Sequence, residues 1–235
     1  MSFLAPYHTV NDAGKVCVSA EQGSQFAKGI ADDFNPIHDV NSKRFCVPGD
    51  LLFSIALSRY GLRESISCSF HELIKAETPL RYPQYQSDEA LEVLNDRGKV
   101  ALSVNCSGKD SQDASKVEQL IRNYVVFSGQ NFPHILVPLM QEHDVMINPA
   151  RPLVIYESMS LSFTELDFDN LDIQLTHTSL DVQGKRGNAQ LGFSICDGGK
   201  HIGQGLKKLV LSGLRPYEQT AIDQMCEQYL SSKPV

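Results

Sequence analysis

The chain has 235 residues, 42 % of them hydrophobic, and a net charge of −7 from 21 basic and 28 acidic side chains mixed along its length. That is enough apolar material for one large domain or two halves of about 110 residues each. With no Lys/Arg cluster and no basic arm, the charge pattern excludes a nucleic-acid surface. The longest strongly apolar runs, residues 51–57 and 135–140, fall far short of the roughly 20 residues that cross a bilayer, so no membrane span is expected. The N-terminus has no basic region ahead of an apolar core, which reads as no secretion signal and a cytoplasmic protein. Six cysteines are scattered without a Cys-x-x-Cys pair or a histidine at metal spacing. Most are expected to be buried thiols, with no metal site.

In chain order, residues 15–18 form a short strand, and Ser19 with Gln22 has the form of a capping box. Gly23, Phe26, Ala27, Ile30 and Phe34 then recur at helical spacing. Asp33 lies on or beside that stripe, and Asp32 points to water. Pro36 ends this helix at Asn35, and the chain turns outward carrying His38. A short polar link leads to Pro48-Gly49-Asp50, which opens a helix with almost no polar face before Gly61 caps it. Such a helix must be wrapped by other structure. Residues 65–71 alternate as a strand, and residues 91–94 and 100–106 flank the turn Asn95-Asp96-Arg97-Gly98 as a hairpin.

The polar stretch 109–113 marks a boundary, after which the order of elements repeats. Residues 117–127 have a helical pattern, and Asn131-Phe132-Pro133-His134 opens a second apolar helix through Met140. Strands follow at 153–166, 173–182, 190–195 and, after the turn Asp197-Gly198-Gly199, through Leu211. Residues 216–229 form a surface helix. The second copy passes from helix to helix without an Asn-Pro-x-His segment, so it repeats the scaffold and not the candidate site. Elsewhere, His71-Glu72 lacks a second histidine for zinc, since Lys75 stands in its place. His134 reads as a capping or packing residue, and Lys207 and Lys208 as a solvated strand end.

Residues 26–38, followed by Val47-Pro48-Gly49, resemble the MaoC-like, R-specific enoyl-CoA hydratase branch of the hot-dog superfamily. The match rests on Asp33, Asn35, Pro36, Ile37 and His38, with Gly49 opening the central helix. Overall the chain is most similar to a bacterial family of uncharacterised proteins. It departs from the hydratase pattern in two places: Asp32 replaces a glycine, and the link from His38 to Gly49 is several residues shorter. The resemblance implies an α+β double hot-dog, two antiparallel sheets each wrapped around a long central helix. Residues 1–112 would be the half that carries the site, 113–215 a degenerate half, and 216–235 a C-terminal helix and tail.

Hydration of a 2-enoyl thioester needs a base for water, an acid for the α carbon, and donors for the enolate oxygen. Asp33 and His38 fit the acid/base pair, and the free amides that begin at Gly49 fit the oxyanion donors. Asn35 reads as a residue holding the loop and Asp50 as a helix-start charge. Pro36 and Phe53 complete the candidate substrate-binding or supporting positions. The expected function is an enoyl-CoA hydratase or dehydratase, a hydro-lyase. The alternatives are a non-catalytic acyl-CoA or lipid-binding protein and an acyl-CoA thioesterase. No cofactor is expected beyond coenzyme A as part of the substrate, and the partners are an acyl thioester and, for a homodimer, a second copy; a monomer would also suffice.

Overall fold

The segment opened by Pro48-Gly49 is a helix enclosed on almost every side: Leu51, Leu52, Phe53, Ile55, Ala56 and Leu57 are all 2 % exposed or less. The computed structural model, which describes residues 2–85 and 90–233, builds the rest of the chain around it. The elements are β1 (Thr9–Val10), β2 (Val16–Cys17), α1 (Ala20–Gly29), α2 (Gly49–Tyr60), β3 (Leu62–Phe70), β4 (Leu91–Leu94), β5 (Val100–Ser111) and α3 (Ala114–Gly129). They continue as α4 (Leu136–Glu142), β6 (Val145–Met146), β7 (Val154–Phe163), β8 (Leu171–Gln183), β9 (Arg186–Asp197), β10 (Lys200–Ser212), β11 (Arg215–Pro216) and α5 (Gln219–Ser231).

Instead of two separate sheets, seven strands form one antiparallel sheet in the order β4-β5-β3-β7-β10-β9-β8. Its midline is the β3–β7 pairing, where Ile66 faces Leu161 and Cys68 faces Met159 on the core side. On the other side Ser65, Ser67 and Ser69 face Ser162, Ser160 and Ser158. Two strands with the same alternation satisfy each other's edge groups by pairing, which removes two edges that would otherwise be open.

Several local expectations hold. Ser19 and Gln22 make both bonds of the capping box, at 3.2 and 3.0 Å. Gly61 ends α2 with φ +75°, and Asn95 closes the β4–β5 turn by accepting the Arg97 and Lys99 amides. Others differ. Helix α1 stops at Gly29, well before Pro36. The polar residues 109–113 are the end of β5 and the N-cap of α3, where Asp113 accepts the Ser115 and Lys116 amides. The second apolar helix begins only at Leu136, because the Asn131 carbonyl takes the amides of both Ile135 and Leu136 in a preceding turn. The long helix that packs on α2 is α3, and Phe53 meets Tyr124 edge to face across that contact.

Candidate active site

The site begins where α1 ends. Asp32 adopts a left-handed backbone, φ +53°, which bends the chain back so that the Asp33 amide donates to the Ala27 carbonyl at 2.8 Å. Asp32 therefore stands at a position whose backbone favours glycine, and aspartate is among the few residues that tolerate it. The Asp32 carboxylate meets Lys233 at 2.6 Å. Asp33 Oδ1 accepts the Asn35 amide at 2.9 Å, and Asn35 Oδ1 accepts the Ile37 amide at 3.2 Å. That pair of local bonds starts a single 3₁₀ turn, Pro36–His38, with Pro36 at its first position.

His38 is buried, and its Nδ1 lies 2.7 Å from the Cys46 carbonyl. A carbonyl only accepts, so Nδ1 carries the proton and Nε2 is the nitrogen left for chemistry. Nε2 stands 3.6 Å from Asp33 Oδ2. That is too long for a direct hydrogen bond and short enough for one oxygen atom to touch both groups. The Cys46 amide returns a bond to the Ile37 carbonyl at 3.1 Å, so the shortened link is fastened at both ends. Burial pushes the Cys46 thiol up to about 12, which keeps it protonated and unreactive beside the pair.

Asp33, His38, Gly49 and Asp50 line one cavity of about 540 Å³, within the range of small-molecule sites. Gly49 and Asp50 open α2, and among the described residues their amides have no hydrogen-bond acceptor. A Cβ on Gly49 would lie 2.8 Å from Tyr156 and 3.4 Å from Phe70, so any larger residue there would push the Tyr156 ring aside. Asn35 and Pro36 also line the cavity; Phe53 does not, because it points into the α2–α3 core. On the far wall α5 closes the space. Its Tyr229 hydroxyl accepts the Phe34 amide at 3.2 Å and lies near the Asp32 carbonyl, so this helix braces the Asp33 loop as well as covering the surface.

Three wall residues add chemistry to the site, and Lys207 and Tyr156 among them were missed by the sequence reading. Asp50, the charge at the start of α2, is buried: it is 7 % exposed, and its Oδ2 accepts the Ser128 hydroxyl at 2.6 Å. Lys207 is not a solvated strand end: it is 3 % exposed and donates to the Ser128 carbonyl at 3.2 Å and to the Ser128 hydroxyl. Tyr156 lies beneath the Lys207 ammonium and hydrogen-bonds Tyr124. Burial raises the Asp50 carboxyl and lowers the Lys207 ammonium, each opposed by the charge of the other. A signal for Lys207 existed, since it shares a period-two face with Leu209 and Leu211. Tyr156 had none: the register of β7 against β10 slips between Lys208 and Leu209, so Tyr156 faces inward out of phase with Met159, Leu161 and Phe163.

His71 bonds Ser103 on the sheet, and His134 is exposed beyond α3. Among the described residues no group of His, Cys, Asp and Glu is placed to hold a metal ion, and no helix is long and apolar enough to cross a membrane. All six cysteines are free, four of them buried.

Residues 2–220 match the family described as "Protein of unknown function (DUF3581)". A search of curated protein sequences returns no match. Among solved structures, the chain is similar to a conserved hot-dog protein of unknown function from Alicyclobacillus acidocaldarius, at 8 % identity and TM-score 0.49, over 92 % of this chain and 100 % of that one. It is also similar to the acyl-CoA thioesterase II TesB2 of Mycobacterium marinum, at 11 % identity and TM-score 0.41, over 73 % and 90 %. A third is the peroxisomal multifunctional enzyme type 2 of Drosophila melanogaster, at 11 % and 0.43, over 82 % and 47 %.

Proposed function

The chain belongs to the DUF3581 family, and we propose that this member binds an acyl thioester and adds water reversibly across its 2-enoyl double bond. The observation that carries this reading is the meeting of the Asp33–His38 pair and the unpaired Gly49 and Asp50 amides on one cavity. With the thioester carbonyl at those amides, a water between Asp33 Oδ2 and His38 Nε2 lies beside C3. Its oxygen bonds to C3 as the pair takes one of its protons, and the C2=C3 electrons move toward the carbonyl. The α2 amides and the positive end of the helix hold the enolate oxygen. A proton from the pair then reaches C2, the carbonyl reforms, and the product is the 3-hydroxyacyl thioester; dehydration is the reverse.

The same reading treats the molecule as a double hot-dog, with halves 1–112 and 113–215 joined along the β3–β7 seam and a closing segment at 216–235. It is supported by the enclosure of α2 and by the packing of α3 across it. Such a chain would contain its own pairing of halves, so a monomer would be complete and a homodimer would add nothing to the site.

The test is hydration of short- and medium-chain 2-enoyl-CoA by the purified protein. Turnover is expected, with Asp33→Asn and His38→Ala each lowering kcat/KM by about 10²- to 10⁴-fold. A wild type inactive at every chain length defeats the reading. Free thiol released from saturated acyl-CoA would move the assignment to a thioesterase, and thermal stabilisation without turnover to a non-catalytic binder.

A further inference from the structure

The cavity carries a second polar cluster whose side chains the hydration steps leave unused: Asp50, Ser128 and Lys207, drawn from α2, α3 and β10. Its hydrogens can be traced. Ser128 spends its hydroxyl proton on Asp50 Oδ2, so Lys207 must donate to both Ser128 oxygens, and its ammonium also rests 4.4 Å from the centre of the Tyr156 ring. Every group in the cluster then has a partner except Asp50 Oδ1, which is buried and receives no donor. Asn131 Oδ1, in the wall of the same cavity, is a second buried acceptor without one. Buried acceptors left alone are costly, and a carboxylate oxygen more so than an amide. An unsubstituted alkyl chain would seal that cost in, since it brings no hydrogen to donate.

Resting on the acyl-thioester reading above, we propose that the cavity is built for an acyl group bearing a hydroxyl beyond C3, whose O–H donates to Asp50 Oδ1. Asp50 follows Gly49 directly. A carbonyl held at the Gly49 amide therefore leaves the carboxylate within a few carbons' reach along the chain. Lys207 has no direct hydrogen bond to Asp50, and across Ser128 its charge opposes the burial that raises the Asp50 carboxyl. The cluster would act in specificity: it selects hydroxylated acyl groups over plain ones of the same length, and the Asp33–His38 chemistry is common to both.

The test reads binding apart from turnover. Dissociation constants are measured by calorimetry for hexanoyl-CoA and for its 5-hydroxy and 6-hydroxy forms, all saturated and so inert to hydration. At least one hydroxylated form is expected to bind about tenfold or more tightly than hexanoyl-CoA, the gain of one hydrogen bond to a charged acceptor. In Asp50→Asn that advantage falls below about threefold. Hexanoyl-CoA binding as tightly as both hydroxylated forms overturns the proposal, as does an advantage that survives Asp50→Asn. The wild-type comparison decides the matter alone if that variant does not fold. A preference without hydration of 2-enoyl-CoA removes the hydratase reading and leaves this one, hydration without a preference does the opposite, and binding of none of the three ligands removes both.

Discussion

Asp32 sits one residue before the proposed acid/base pair in a backbone conformation that costs most L-residues about 1–2 kcal/mol. Replacing it with glycine relieves that strain, loses the 2.6 Å bridge to Lys233, and loosens the unfolded chain. Aspartate tolerates the left-handed region better than most residues, so the strain relieved is at the low end of that range and is opposed by the two losses of about 1 kcal/mol or less each; Asp32→Gly is expected to shift stability by under about 1 kcal/mol. Hydration should be unchanged; thermal unfolding and kcat/KM together check this, and a tenfold loss of kcat/KM would mean the Asp32 carboxylate has a part in the site. Asp33, Asn35 and His38 were legible in the sequence because proline and two Asx side chains punctuate the chain locally, within a span of six residues. The end of α1 was not, since the left-handed turn at Asp32 depends on what α3 presses against the chain from a hundred residues away. Lys207 and Ser128 were hidden for a related reason: their meaning lies in each other and in Asp50.

At the scale of the element, α3 is held against the site by the absence of a side chain. A Cβ at Gly129 would overlap the Ala31 carbonyl oxygen and lie 3.2 Å from the Asp33 amide. Neither neighbour is a flexible side-chain end, so the C-terminal turn of α3 or the Asp33 loop must move. Gly129→Ala is expected to destabilise the protein by about 1–3 kcal/mol, as overpacking does. It should also cut hydration by more than its fraction unfolded explains, measured by denaturant titration beside kcat; unchanged kcat in the folded fraction would show that α3 does not set the loop. The elements themselves were mostly legible, through the Ser19 box, the cap at Gly61 and the glycines of the Asp197 turn. What escaped was how they join: nothing local distinguishes two sheets from one paired at β3–β7, because both satisfy the same alternation of serine and apolar residues.

Across the whole molecule, Asp50 and Lys207 tie α2 to β10 through Ser128. Removing one charge strands the other, so Lys207→Met should cost about 3–5 kcal/mol near neutral pH, and Asp50→Leu/Lys207→Met should recover most of it. The sign with pH follows from the raised carboxyl. Burial, the largest influence, lifts Asp50 in the folded state above its unfolded value, so proton uptake favours folding. The Lys207→Met deficit is therefore expected to be full above the folded pKa that Asp50 has in the variant, where the opposing Lys207 charge is gone, to shrink as the pH falls through it, and to be lost below the lower folded pKa of the wild type; urea titrations of both proteins down the pH scale check it. A deficit independent of pH would mean that lost packing, and not a stranded charge, is the cause. The brace on the Asp33 loop has a consequence in time. The Phe34 amide is bonded to a tyrosine hydroxyl 195 positions later. At the roughly 5–20 residues per second of synthesis, an emerging chain has Asp33 and His38 for about ten seconds or more before the hydroxyl that braces their loop has been made, so the loop is fastened on this side only once α5 has been synthesised.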